Sequence, residues 1–196
     1  MKITFLECLL CIFIIGICLK VYFDSDIHNL KCIISDVDGE HYCVRERDKL
    51  ELAADLLANV TQRLKTLVEY MKINYPENEN VKRMVQNFNP KKICETLPTS
   101  EHTAYSENKG EKIAFCLNTT KNGNRLIDIN TLTFVAVHEL AHTMSKSIGH
   151  NDEFWNNFKF LLENAVKCEI YKPINYSKKP KQYCGMKIDE NPLFKK

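Results

Sequence analysis

Residues 138–155 read HELAHTMSKSIGHNDEFW. His138 and His142 are four residues apart, so a helix places both imidazoles on one face, one turn from each other. Two nitrogens need that spacing to hold one zinc ion at about 2.0–2.1 Å each. Glu139 sits beside them without being a ligand. It is placed to take a proton from a metal-activated water and later hand it to a leaving amine. The helix lies within residues 126–148, LIDINTLTFVAVHELAHTMSKSI, with Asp128 or Asn130 available as its N-cap. Leu132, Val135, Ala136, Leu140 and Ala141 supply its apolar face. Two histidines and a glutamate are costly to bury in so apolar a helix unless they have a task.

A catalytic zinc site takes three protein ligands and keeps one position open. Gly149 is expected to break the helix and reverse the chain, which brings His150 back toward the metal. Imidazole suits zinc, so His150 is the third ligand, with Glu153 and Asp152 as rivals. Those two carboxylates otherwise read as first-turn acids of a following helix, or as partners of an imidazole N–H. Asn151 caps that helix, and Phe154, Trp155, Phe158, Leu161, Leu162, Ala165 and Val166 form its buried stripe. His28, His41 and His102 read as surface residues. Tyr105, Tyr171, Tyr176 and Tyr183 are candidates to stabilise an oxyanion, and the sequence does not choose among them.

Upstream, residues 112–117 and 104–106 read as two strands joined by a turn at Glu107-Asn108-Lys109-Gly110, with a further short strand at 92–97. The tip of the polar loop 119–125 is Asn122-Gly123. Further back, Leu50, Ala53, Leu57, Val60, Leu64, Leu67 and Met71 recur at spacings of three and four. This predicts a helix over about 46–74 with one apolar stripe, lying across the sheet. Tyr75-Pro76 ends it. A shorter helix follows at about 79–87, stopped by Asn89-Pro90. Before these comes a hairpin signal, KCIISDVDGEHYCV, with Asp38-Gly39 at its turn. The expected class is α+β: a small domain in which a short mixed sheet packs on helices.

The chain has 196 residues, 44% hydrophobic and 27% charged, a balance that suits one folded domain and excludes general disorder. The 27 basic residues exceed the 25 acidic by two, so nucleic acid is not an expected partner. Residues 3–23, ITFLECLLCIFIIGICLKVYF, stand apart. Residues 8–19 are uncharged, and with their flanks the run approaches the roughly 20 residues that cross a bilayer. Glu7 and Lys20 bracket it, with Tyr22 and Phe23 at headgroup level. The reading is a transmembrane anchor at 1–23 and a metallopeptidase domain at 24–196. A cleaved signal peptide and a buried core helix are the alternatives. Charge placement leans toward a cytoplasmic N-terminus, with the domain on the lumenal or extracytoplasmic side or in a virion membrane.

Outside the apolar run lie Cys32, Cys43, Cys94, Cys116, Cys168 and Cys184, an even set that suggests disulfides in an oxidising compartment. Cys32 and Cys43 flank the hairpin and are the first expected pair; buried free thiols are the alternative. The tail around Tyr183-Cys184-Gly185-Met186 reads as a disulfide-held loop on the domain, with a methionine turn beneath the metal as a rival. Sequons begin at Asn59, Asn118 and Asn175.

At residues 112–117, 138–142 and 149–155, and in the Asn108-Lys109-Gly110 turn, the chain resembles the small zincin metallopeptidases of the WLM and SprT-like type. Residues 104–195 are similar to uncharacterised metallopeptidase-like proteins of large DNA viruses. The resemblance implies that His138, His142 and His150 bind Zn2+ and that Glu139 is the catalytic base. Many members of that family act on proteins crosslinked to DNA. The anchor, the cysteines and the near-neutral charge of this chain point elsewhere, to a membrane-anchored zinc endopeptidase acting on protein or peptide substrates. The alternative is a structural or interaction membrane protein, such as a virion component, on a zincin-like domain without proteolytic role.

Overall fold

The computed structural model describes residues 5–24, 30–97, 99–121 and 123–195. Met1 to Thr4, residues 25–29 (with His28), Pro98, Asn122 and Lys196 lie outside them, as do the side chains of residues 5–8 and 21–24.

Helix α1 runs Phe5–Asp24. The successive residues Ile12, Phe13, Ile14 and Ile15 are each half or more exposed. Four consecutive helical residues point in all directions, so no face of α1 is buried in the domain. The core-helix alternative is therefore overturned. The expected transmembrane span is not supported either: among the described residues, no helix is long and apolar enough to cross a membrane.

The hairpin forms as read. Strands β1 (Leu30–Ile34) and β2 (His41–Arg45) pair antiparallel with Cys32 opposite Cys43, and these two form a disulfide. Helix α2 spans Leu50–Asn74. It starts later than expected because β2 continues to Arg45. Its stripe from Ala53 through Leu57, Val60, Leu64 and Leu67 to Met71 is fully buried, which identifies a core helix. Asn78 caps α3 (Glu79–Asn87) by accepting from the Asn80 and Val81 amides.

The sheet is mixed, as expected. Strand β3 (Ile93–Glu95) runs parallel to β5 (Lys112–Phe115), which pairs antiparallel with β4 (Ala104–Glu107) at the edge. The β4–β5 turn needs left-handed backbone at three successive positions, Asn108, Lys109 and Gly110. Gly110 also lies against the end of helix α4 (Ile129–Met144): a Cβ there would come within 2.5 Å of Thr143 Cγ2. Helix α4 packs on α2, α3, β4 and α5 (Asp152–Lys167), so it is the axis of the core.

Two boundaries differ from the sequence reading. Helix α4 stops at Met144, before Gly149, because Ser145 turns extended and both its amide and its hydroxyl donate to the Ala141 carbonyl. Gly149, at φ +85°, sits in the connecting loop instead. Strand β5 ends at Phe115, after which Cys116 leaves the sheet and bonds to Cys184. Cys184 is in the turn between β6 (Lys181–Tyr183) and β7 (Met186–Ile188), so the tail is a disulfide-held hairpin packed on the domain. Cys94 and Cys168 are free thiols, so the expected full set of six disulfide cysteines reduces to four. The sequon at Asn118 is closed to modification: Asn118 is buried, and its side-chain oxygen accepts from Arg47.

Candidate metal centre

Asp128 caps α4 by accepting from the amide and the hydroxyl of Thr131, which settles the choice between Asp128 and Asn130. From that start the helix carries His138 and His142 to one face, with ring centroids 5.0 Å apart. The 145–151 loop returns the chain, and His150 completes the group. Its ring lies 4.9 Å from each of the other two, and its Nε2 is 3.0 Å from His138 Nε2. One nitrogen from each imidazole lies within 4.8 Å of the others. An ion held tetrahedrally at 2.0–2.1 Å sets its ligand nitrogens about 3.3 Å apart, so the three side chains fit it with small ring rotations.

The electrostatics suit a metal. Burial, then the charges of His142 and His150, hold His138 down to about 3. Burial, then His150 and Lys109, hold His142 down to about 4. Both rings are neutral near neutral pH and offer lone pairs, the form that binds a cation. Glu139 is 5% exposed, and burial pushes its carboxyl up to about 8.

The loop that delivers His150 is held from two sides. Glu153 accepts from the Lys146 and Ser147 amides and from the Ser147 hydroxyl, and these bonds pull its carboxyl down to about 2. Glu153 therefore fastens the loop and touches no imidazole. Lys109, from the β4–β5 turn, donates to the Ser145 and Ser147 carbonyls. Asn151 caps α5 by accepting from the Phe154 amide, as expected, and Asp152 stays in the first turn. Phe154 is fully buried beneath the cluster, with ring centroids 4.8, 4.3 and 4.6 Å from His138, His142 and His150.

A cleft of about 500 Å³ opens over the histidines, walled by β4 residues Ala104, Tyr105 and Ser106, by Lys109 and by the His150 loop. Of the four tyrosines, Tyr105 lines this cleft, and Lys112 Nζ is 3.4 Å from its hydroxyl. Tyr171 and Tyr176 are buried around Phe134, away from it. Tyr183 is buried, donates to the Thr103 carbonyl, and holds its proton well above the ordinary range through burial and the Glu139 charge. His41 and His102 are exposed; His102 lies at the mouth of the cleft, outside the three-histidine cluster. Sequence reasoning did not assign Lys109 a site role, although the Asn-Lys-Gly turn was visible. It placed Phe154 in the core without seeing that it carries the histidines.

Three comparisons bear on this geometry. The WLM domain model matches residues 79–192, which contain the sheet, both site helices and the tail hairpin. The chain is 32% identical over 163 residues to protein R325 of Acanthamoeba polyphaga mimivirus, covering 81% of this chain and 82% of that protein. It is 37% identical over 101 residues to protein 042R of invertebrate iridescent virus 3, covering 50% of this chain and 57% of that protein. Among solved structures, Wss1 from Saccharomyces cerevisiae aligns with a TM-score of 0.49 and 18% identity, over 63% of this chain and 84% of that one. The WLM match spans more than half of the chain and includes every residue of the histidine cluster, so this chain belongs to the WLM family of metallopeptidase-like proteins.

Proposed function

We propose that the chain is a zinc-dependent endopeptidase that hydrolyses peptide bonds of protein or peptide substrates. The observation that carries this reading is the set of three converging imidazoles with a buried glutamate beside them at one open cleft. His138, His142 and His150 would hold the metal. Bound there, zinc polarises a carbonyl and lowers the pKa of water. Glu139 supplies the base: its carboxylate accepts the proton of the attacking water and delivers it to the departing amine. Strand β4 is a sheet edge along the cleft, and an extended substrate would pair with it through backbone hydrogen bonds. Lys109 and Glu153 hold the His150 loop, which would keep its imidazole in place to bind the metal.

A structural zinc site closes with four protein ligands. Among the described residues the cluster has three, and its third member, His150, is exposed. That openness favours catalysis over a purely structural role.

The proposal extends to residues 1–23 as a membrane attachment and 24–196 as the catalytic domain. A helix apolar on all sides and exposed on all sides needs a nonaqueous cover. The two disulfides suit an oxidising compartment, hence the lumenal or extracytoplasmic side, or a virion membrane. In this reading the full chain floats with liposomes and an Ile12→Lys/Ile15→Lys variant does not; equal flotation of the two would refute the attachment.

The test of catalysis uses the full chain in detergent, loaded with zinc, and a casein or peptide-library assay. Glu139→Gln keeps the zinc and loses at least about 100-fold in rate. A variant as active as the parent would refute the role of Glu139. A zinc-loaded parent that cleaves nothing would refute the peptidase and support the structural membrane protein.

A further inference from the structure

A second cavity, of about 380 Å³, opens directly beside the histidine cleft. Ala104, His138, Glu139 and His150 line both, so the two are continuous at the residues proposed for catalysis. Away from them the lining is mostly apolar: Phe134 and Phe158 are the buried part, with Trp155, Ile188 and the exposed Met186 around them and Lys187, Asp189 and Glu190 at the rim. Its volume falls within the roughly 300–1,000 Å³ of small-ligand pockets. The acids at its rim are occupied, Asp189 facing Lys187 at 3.9 Å and Glu190 paired with Lys195. Lys195 in turn lies 5.0 Å from the Trp155 ring centroid, over its face. With those charges matched at the rim, the wall made by Phe134, Phe158, Trp155 and Ile188 carries no charge to recognise a charged group.

Resting on the peptidase reading above, we infer that this cavity receives one large apolar side chain of the substrate, aromatic or leucine-sized, from a residue flanking the bond to be cut. A backbone lying along β4 passes Ala104, which lines both spaces, so the side chain entering the cavity belongs to a residue at the reacting centre. Transfer of such a side chain from water into an apolar pocket favours it over glycine by about 10- to 100-fold.

Trp155 is the single tryptophan of the chain, so intrinsic fluorescence excited at 295 nm reads this cavity alone and needs no metal or turnover. The experiment titrates the metal-free full chain in detergent with N-acetyl-phenylalanine amide, N-acetyl-leucine amide and N-acetyl-glycine amide. The phenylalanine and leucine amides should shift the Trp155 emission saturably, at concentrations at least tenfold below any response to the glycine amide. Met186→Glu places a charge on the outer wall at an exposed position and should erase that difference. Equal responses to the three amides, or an unchanged preference in the Met186→Glu chain, would overturn the assignment. The two readings fail separately. Saturable binding without any peptide cleavage leaves the pocket and removes the peptidase. Cleavage indifferent to side-chain size, with no Trp155 response, leaves the peptidase and removes the pocket.

Discussion

Phe154 is the residue on which the three histidines rest, and its replacement separates site geometry from general stability. Its ring is fully buried, with centroids 4.3–4.8 Å from all three imidazoles. Removing a buried phenylalanine to alanine costs about 3–5 kcal/mol, a large part of the roughly 5–15 kcal/mol that holds a domain together. Phe154→Leu is the better probe: it keeps an apolar side chain of similar size and should cost only about 1 kcal/mol. Leucine is narrower than a ring, however, so the imidazoles lose the flat surface that limits their rotation. Groups that orient metal ligands typically account for about 10- to 100-fold in affinity, and about tenfold is expected here. The assay is competition for zinc against a chromophoric chelator, with urea unfolding in parallel. Leu57→Ala, in the fully buried stripe of α2, serves as the control. It should cost more stability, about 2–5 kcal/mol, and leave the zinc affinity of the folded chain unchanged. A Phe154→Leu chain that folds and binds zinc as tightly as the parent would refute the claim that Phe154 orients the site.

Three further outcomes follow from the same structure. Glu153 titrates at about 2 in the folded chain, below the ordinary 4.5, because the Ser147 hydroxyl and the Lys146 and Ser147 amides donate to it. Its folded pKa is depressed, so its stabilisation is complete above pH 4.5 and is lost as pH falls toward 2; Glu153→Gln should flatten that part of the urea-stability profile, and an unaltered profile would contradict the clasp. Gly110→Ala places a Cβ at φ +112°, within 2.5 Å of Thr143 Cγ2 and 3.2 Å of the Asn87 carbonyl, and should lower stability by about 1–3 kcal/mol in thermal or urea unfolding. The Cys116–Cys184 disulfide closes a 68-residue separation, against 11 for Cys32–Cys43. On a chain-entropy basis its removal as Cys116→Ala/Cys184→Ala should cost about 4 kcal/mol and the hairpin pair about 3, so denaturant midpoints ordered the other way would show that native-state effects dominate.

Much of this was legible in the sequence for local reasons. The α2 stripe, the Asn151 capping position, the Asp38-Gly39 and Asn108-Lys109-Gly110 turns and the His138/His142 spacing are all properties of residues within a few positions of each other. Local patterns of that kind specify local structure. His150 was reachable because Gly149 and Asn151 mark a reversal between two helices, even though α4 ends at Met144, before the expected break at Gly149. The Ser145 hydroxyl that stops it is an ordinary side chain until its bond to the Ala141 carbonyl is seen. What the sequence hid is long-range. Cys116 finds Cys184 across the whole segment that carries the three histidines, and no spacing rule selects that pair among 15. Glu153 was weighed as a metal ligand or an imidazole partner, yet it fastens the loop beneath His150. Two carboxylates at a helix start look alike until the backbone amides of residues 146 and 147 come within reach. The apolar cavity draws on β4, α4, α5 and the tail hairpin, so no single stretch of sequence announces it.

The most direct test of the account is zinc content measured on the purified, folded full chain, beside His142→Ala and Glu139→Gln. The account predicts about one zinc per chain in the parent, the same in Glu139→Gln, and none retained in His142→Ala after mild chelation. A folded parent without zinc, or a His142→Ala chain that keeps it, would contradict the three-histidine centre on which the rest depends.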